Sequence, residues 1–180
     1  MVEMITERLV LRRFLPDDWK DLYEYLSIEE VVRYEPYGVF TKEECIKESI
    51  ERYEAEDDSS FWAVCLKEND KMIGHIYFQQ TDPKKFMTWA LGYVFNPKYY
   101  HKGYATEACK RILQYAFEDC DAHRIVAGVN VKNIASWKLL ERLNMRREAH
   151  FLQNVFFNRD SYDKPVWNDS YRYGILAEEV

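Results

Sequence analysis

Between residues 105 and 120, apolar side chains recur at three- and four-residue steps: Ala108, Cys109, Ile112, Leu113, Ala116, Phe117 and Cys120. Only a helix places such positions on one face. The run before it, residues 88–95, is rich in β-branched and aromatic residues and ends at Asn96 and Pro97, which predicts a strand feeding the helix through a basic, aromatic loop and the small residues Gly103 and Ala105. Upstream, residues 7–14 alternate around Leu9 and Leu11 and predict a strand ended by Pro16, with Asp17 or Asp18 capping a helix that reaches Leu26. Ser27 with Glu30, and Thr41 with Glu44, show the hydroxyl-then-carboxylate spacing of a capping box, predicting helices at 28–33 and 42–55.

Residues 61–66 and 72–78 read as a hairpin whose turn holds Asn69 and Asp70, two residues that tolerate left-handed backbone. Further strands are expected near 124–131, 147–157 and 170–176, a helix at 134–144, and an irregular loop over one sheet edge at 158–169. Strands that pair as hairpins first and alternate with helices later define an α+β class with a mixed sheet.

The 180 residues, 47% apolar, suit one domain spanning 1–180. The first residues carry acids, and nowhere do about 18 apolar residues follow one another, so the reading is of a cytoplasmic protein without a membrane span. Cys45, Cys65, Cys109 and Cys120 are scattered on apolar faces, as expected of reduced thiols; Cys120 and His123 lack a second ligand pair, so no metal is expected. A formal net charge of −6 disfavours nucleic acid as a partner and suits a cationic acceptor.

The helix start at Gly103 leaves N–H groups unpaired and carries partial positive charge, while small residues there admit a phosphate and Lys102 adds a full charge. An anion site follows. Leu91, Gly92, Tyr93, Val94 and Phe95, then Pro97, then the run from Lys102 to Ala108 (Lys-Gly-Tyr-Ala-Thr-Glu-Ala) resemble the acetyl-coenzyme A motif of the GCN5-related N-acetyltransferases (GNAT), in the subgroup of the ribosomal-protein N-terminal acetyltransferases RimJ and RimL. Asn133 and Ser136, and the run from Leu140 to Met145 (Leu-Glu-Arg-Leu-Asn-Met), resemble that family's second signature, and the similarity extends over essentially the whole chain.

The resemblance implies a mostly antiparallel sheet of about seven strands, flanked by helices and splayed at the strand before the coenzyme-binding helix. It implies direct acetyl transfer from acetyl-CoA to a primary amine, either a protein N-terminus or a small molecule, by a monomer or homodimer. Backbone groups of Lys102, Gly103, Tyr104, Ala105 and Thr106 would hold the pyrophosphate, and Val94 and Phe95 would pair with the pantetheine arm. Asn133, simplest as a helix N-cap, would also orient the arm, with Ser136 near the sulfur.

Three departures stand out. Tyr100 and His101 replace the Gln or Arg and Gly common in relatives, Leu140 replaces a Tyr that often serves as acid, and Ala90 replaces a Glu that often serves as base. Ser136 is then the candidate acid, and His75, Glu35 or water would carry the amine's proton. The loop Tyr34-Glu35-Pro36-Tyr37-Gly38, stiffened by Pro36, is a candidate acceptor wall through Tyr34, Glu35 and Tyr37. Ala90 and Leu140 also motivate an alternative, a non-catalytic acyl-CoA-binding module. A dinucleotide-binding domain is disfavoured by the lack of a G-x-G-x-x-G run.

Overall fold

The structure is a computed structural model that describes residues 3–55 and 60–179. Its strands are β1 (Met4–Ile5), β2 (Leu9–Arg12), β3 (Phe61–Leu66), β4 (Met72–Gln80), β5 (Thr88–Phe95), β6 (Arg124–Asn130), β7 (Arg146–Arg159) and β8 (Pro165–Leu176). They form one sheet in the order β1-β2-β3-β4-β5-β6-β8-β7, antiparallel throughout except at β5–β6. The helices are α1 (Trp19–Leu26), α2 (Glu29–Val32), α3 (Lys42–Glu54), α4 (Tyr104–Glu118) and α5 (Ile134–Arg142).

Strand β3 explains why the sheet has two cores. Side chains alternate across a strand, so Trp62, Val64 and Leu66 go to one face and Ala63 and Cys65 to the other, and all five are buried. The first set packs with Ile112, Leu113 and Ala116 of α4 and Leu139 and Leu140 of α5; the second packs with Leu22, Tyr25 and Leu26 of α1 and Cys45 of α3. Residues buried on both faces read as a continuous apolar run, as residues 61–66 do.

The local signals have specific outcomes. Thr41 caps α3 through a full box with Glu44, and Asp70 takes left-handed backbone (φ 55°) in the β3–β4 turn. Ser27 does not cap α2: its hydroxyl donates to the Tyr23 carbonyl at 2.6 Å, because the residue ends α1 instead. Asp18 directs its carboxylate to Arg12 and to the Leu15 N–H at 2.7 Å rather than to the start of α1. The sheet has eight strands because a two-residue strand, β1, precedes the first expected one, which is β2. The irregular loop expected at 158–169 is largely strand, with only residues 160–164 turning between β7 and β8.

The feature that positions the site is a divergence. β5 pairs with β6 only at Thr88↔Arg124, Trp89↔Ile125 and Ala90↔Val126. β5 continues along β4 to Phe95, while β6 continues along β8 to Asn130. From Leu91 onward the two strands part, and one edge of β5 is left without a strand partner. Gly74 holds β4 close to this end of β5, since a Cβ there would meet the Val94 carbonyl and the Phe95 ring at 2.6 Å.

Candidate active site

Two cavities open at the splay. The larger, about 930 Å³, is lined by Tyr93, Val94 and Phe95 of β5, the start of α4 and the first turns of α5. The smaller, about 190 Å³, is lined by Tyr34, Glu35 and Pro36, by Leu91 and Gly92, by residues 127–130 of β6, and by Leu140 and Phe157. Glu35, Tyr93, Asn133 and Ser136 line both, so the cavities meet at these four side chains.

The α4 end of the larger cleft is built from backbone. Gly103 precedes the helix at φ 82°, a conformation that costs other residues roughly 1–2 kcal/mol, and an added Cβ would lie 3.3 Å from Arg8 Nη2. The first helical bond runs from the Glu107 N–H to the Gly103 carbonyl at 3.0 Å. The N–H groups of Tyr104, Ala105 and Thr106 are thus the orphan donors of the first turn, in residues that line the cleft. Lys102 is exposed, its Nζ 5.4 Å from the centre of the Tyr99 ring, and it is not part of the cleft lining.

Glu107 in this first turn would repel an anion if its charge were free. Burial alone would raise its pKa, but bonds from Thr6 Oγ1 (2.6 Å), the Arg8 N–H (2.9 Å) and Arg8 Nε (2.7 Å) outweigh that and hold it below the usual carboxylate range. Its charge is therefore spent on Arg8. Arg8 also donates to the Lys102 carbonyl at 2.9 Å and covers the Tyr104 ring, fixing the turn that precedes α4.

At α5, the Asn133 side chain accepts from the Ser136 N–H at 3.2 Å and caps the helix. Tyr93 reaches the same turn: its hydroxyl donates to the Ser136 carbonyl at 2.9 Å and lies 3.0 Å from Ser136 Oγ. Burial pushes the Tyr93 phenol up, so it stays protonated across the neutral range.

Glu35 contrasts with Glu107, whose charge is paired. Its N–H donates to the Val32 carbonyl at 2.9 Å, but its carboxylate has no hydrogen-bond or ion-pair partner among the described residues. Burial without a partner pushes its pKa up to about 7.

His75 is placed elsewhere. Its position on β4 points it at the α1–α3 side, where its ring is 2% exposed, sits 2.8 Å from the Tyr25 hydroxyl through Nδ1, and packs against Phe14 and Phe61. Burial, helped by the charge of Arg52, drives its pKa well below the usual value, and it lines neither cavity. Tyr37 also lines neither, packing edge-on against Phe40 with ring centres 5.2 Å apart; Tyr34 and Glu35 are the loop residues that reach the smaller cavity. The sequence reading did not single out Arg8, Tyr93 as a hydroxyl donor, or Phe157. For Tyr93 a signal existed in the Gly-Tyr pair of β5; for Arg8 and Phe157, distant in sequence from the rest, none did.

No group of three or more potential metal ligands occurs among the described residues. No described helix is long and apolar enough to cross a membrane.

A splayed mixed sheet whose gap exposes a strand edge and a helix N-terminus is the architecture of an acyltransferase. The chain belongs to the GNAT superfamily: the acetyltransferase (GNAT) domain model matches residues 8–146. YnaD, an uncharacterized N-acetyltransferase of Bacillus subtilis (strain 168), is 37% identical over 178 residues, covering 99% of each chain. The crystal structure of a GNAT-family acetyltransferase from Bacillus anthracis superposes with a TM-score of 0.89 at 34% identity, covering 99% of this chain and 100% of that one. Spermidine N-acetyltransferase from Vibrio cholerae, in complex with CoA and spermine, gives a TM-score of 0.78 at 19% identity over 97% of this chain and 98% of its own, a likeness of fold. The protein is an acyltransferase enzyme.

Proposed function

We propose that the enzyme transfers acetyl from acetyl-CoA directly to a primary amine, a protein N-terminus or a small molecule, with the donor in the larger cleft and the acceptor in the smaller cavity. The observation that carries this reading is the meeting of the two cavities at Glu35, Tyr93, Asn133 and Ser136. The chain's residues fit the donor: orphan N–H groups of Tyr104, Ala105 and Thr106 suit a pyrophosphate, and the free edge of β5 at Val94 and Phe95 suits the amides of an extended arm. Bound acetyl-CoA would supply an acyl carbon on a sulfur leaving group whose thiol pKa is about 8.5, typical of a free thiol.

Glu35 draws in the cationic amine and then takes its proton, since a nitrogen must present its lone pair to attack. A base with a pKa near 7 both accepts that proton and releases it to water at neutral pH. Ser136 and Tyr93 form a protonated hydroxyl pair that would hydrogen-bond the thiolate leaving group, which takes its proton from water once the carbon–nitrogen bond has formed and the carbon–sulfur bond has broken. These groups offset the departures noted in the sequence: Glu35 serves where β5 carries Ala90, and the Tyr93–Ser136 pair serves where α5 carries Leu140. The motifs around Lys102 and Leu140 favour, within the superfamily, the branch that acetylates protein N-termini.

The test is coenzyme release across a panel of N-terminal peptides, amino acids and polyamines. Amine-dependent release whose rate rises with pH and levels off above about 7 is expected, because below that pH Glu35 holds a proton and accepts none. Release that is independent of every amine, or flat from pH about 6 to 8, would sink the proposal.

A further inference from the structure

Each of the two strands that part at the splay carries a glycine there. β5 and β6 pair at a constant offset, Thr88↔Arg124, Trp89↔Ile125 and Ala90↔Val126, and the same offset sets Gly92 against Gly128 just where the pairing has stopped. Leu91, Ala127 and Val129 belong to the core under α4 and α5. Alternation therefore turns positions 92 and 128 to the other face, where Val31 and Tyr37 pack on either side of the 34–36 loop. Both glycines line the smaller cavity, and neither lines the larger.

The usual reasons for a glycine inside a strand fail at both positions. Among the described glycines only Gly103 has positive φ, so the backbone at 92 and 128 suits any residue. Neither marks a bulge, because the register of β5 on β4 and of β6 on β8 runs through them without a shift. Neither makes room for a neighbouring element. A Cβ on Gly128 would meet nothing within 4 Å, and one on Gly92 would make ordinary contacts with Tyr77 at 3.5 and 3.7 Å. At Gly74, where packing does demand glycine, the same atom would lie 2.6 Å from the Val94 carbonyl. Glycine is a poor strand former, so its presence at both positions needs a reason. What remains is the close approach of a ligand to bare backbone.

We infer that Gly92 and Gly128 are specificity-determining positions for the acceptor: the group that carries the amine lies across them, with its nitrogen at Glu35. This rests on the acetyl-transfer reading above and narrows it. Glu35 stands where the two cavities meet, whereas the glycines line the smaller one alone, so the substituent and not the amine covers them. A cavity of about 190 Å³ has room for about six atoms the size of a water molecule, at roughly 30 Å³ each. The acceptor class is therefore a primary amine with a compact substituent of that size, as in the first residue of a peptide or a short alkyl amine.

The test is coenzyme release by Gly128→Val and Gly92→Ala with two amines, alaninamide, whose substituent would cover the glycines, and methylamine, whose methyl group would not. In Gly128→Val the KM for alaninamide should rise roughly tenfold or more, the usual worth of a methyl or two in a pocket, and in Gly92→Ala by less. The KM for methylamine, and acetyl-CoA affinity by calorimetry, should stay as in wild type. Melting temperature should hold or rise, since a better strand former replaces glycine, which is the opposite of what a structural glycine would give. Gly92→Ala serves if Gly128→Val fails to fold. A peptide beginning with alanine that responds as alaninamide does identifies a protein N-terminus as the occupant, and a response confined to alaninamide and propylamine identifies a small molecule; either supports the inference. An unchanged KM for alaninamide in the folded variants would overturn it. So would equal losses with methylamine at a lowered melting temperature, or a loss of acetyl-CoA affinity. Wild-type protein that releases coenzyme with no amine at all would sink the acetyl-transfer reading itself, and this inference with it.

Discussion

The two cavities that meet at the splay are made of different materials. In the larger, the groups proposed to hold the donor are main chain: a glycine with positive φ, the orphan N–H groups of one helix and the free edge of one strand, all within the thirteen positions from Tyr93 to Ala105 and the turn that follows. The smaller is side chains from the 34–36 loop, β5, β6, α5 and Phe157, which share no neighbourhood in the chain. A backbone cradle tolerates Tyr100 and His101 where relatives differ, because N–H groups are the same in every residue. A side-chain cavity changes with each residue, so it is where the proposal puts acceptor choice.

The sharpest way to test that division is to remove the one unpartnered carboxylate at the junction. Glu35→Gln keeps the shape and deletes the base, and kcat/KM should fall by roughly 10²–10⁴-fold, the usual share of a general base, with acetyl-CoA affinity held. The rise of rate through pH about 7 should vanish with it. Stability gives an independent sign. The folded pKa of about 7 exceeds the ordinary 4.5, so the folded protein holds a proton that the unfolded chain has lost, and folding weakens as pH climbs between those values. Glu35→Gln should therefore unfold at a higher temperature than wild type above pH 7, and no differently near pH 4.5. Equal melting temperatures at both would mean that the carboxylate is solvated.

On the other side of the comparison, Gly103→Val should weaken acetyl-CoA binding at least tenfold, or about 1.4 kcal/mol, by calorimetry. The added side chain forces left-handed backbone on a β-branched residue and crowds Arg8, disturbing the turn that aims the helix N–H groups. Amine KM should move little. An unchanged affinity in folded protein would remove the phosphate cradle.

What was legible in the sequence follows the same division. The α4 periodicity, the Thr41–Glu44 box and the Gly103 turn are local, since each depends on residues within a few positions, and so they are readable in the sequence. Ser27 was misread because a hydroxyl at a helix junction can serve either neighbour, and here it bonds back to Tyr23. His75 was offered as a base from its unperturbed pKa, but strand alternation turns it toward Tyr25 and away from the splay. Glu35 is legible in the sequence only as part of an aromatic loop, whereas its burial without a partner, which sets its pKa, depends on how that loop folds after α2. Nothing local marks Phe157, the twelfth residue of β7 and the last of the strand expected at 147–157.

A smaller effect should separate the two hydroxyls at α5. Ser136→Ala removes the group nearest the proposed sulfur position and should lower kcat about tenfold, a small effect because a thiolate leaves readily. Tyr93→Phe removes one bond to the Ser136 carbonyl and the partner of its hydroxyl, and should lower kcat by a similar factor while also loosening α5. If the pair acts as a unit, the double variant should be no slower than the worse single one. Multiplied losses would show two independent roles.

The smallest effect, and the one that tests the acceptor side alone, belongs to Phe157. Its ring is 40% exposed and forms one wall of the smaller cavity, while every group proposed to handle protons or coenzyme lies on other elements. Truncation in Phe157→Ala should thus leave acetyl-CoA affinity and the pH dependence as they are. It should raise KM for a small amine severalfold, since a half-exposed ring contributes on the order of 1 kcal/mol of apolar contact. Bulky amines should lose less than small ones, or gain, because the wall they met has been withdrawn. A uniform loss over all amines would point instead to a collapse of the β7–β8 hairpin, and a loss of coenzyme affinity would show that the two cavities do not divide the substrates as proposed.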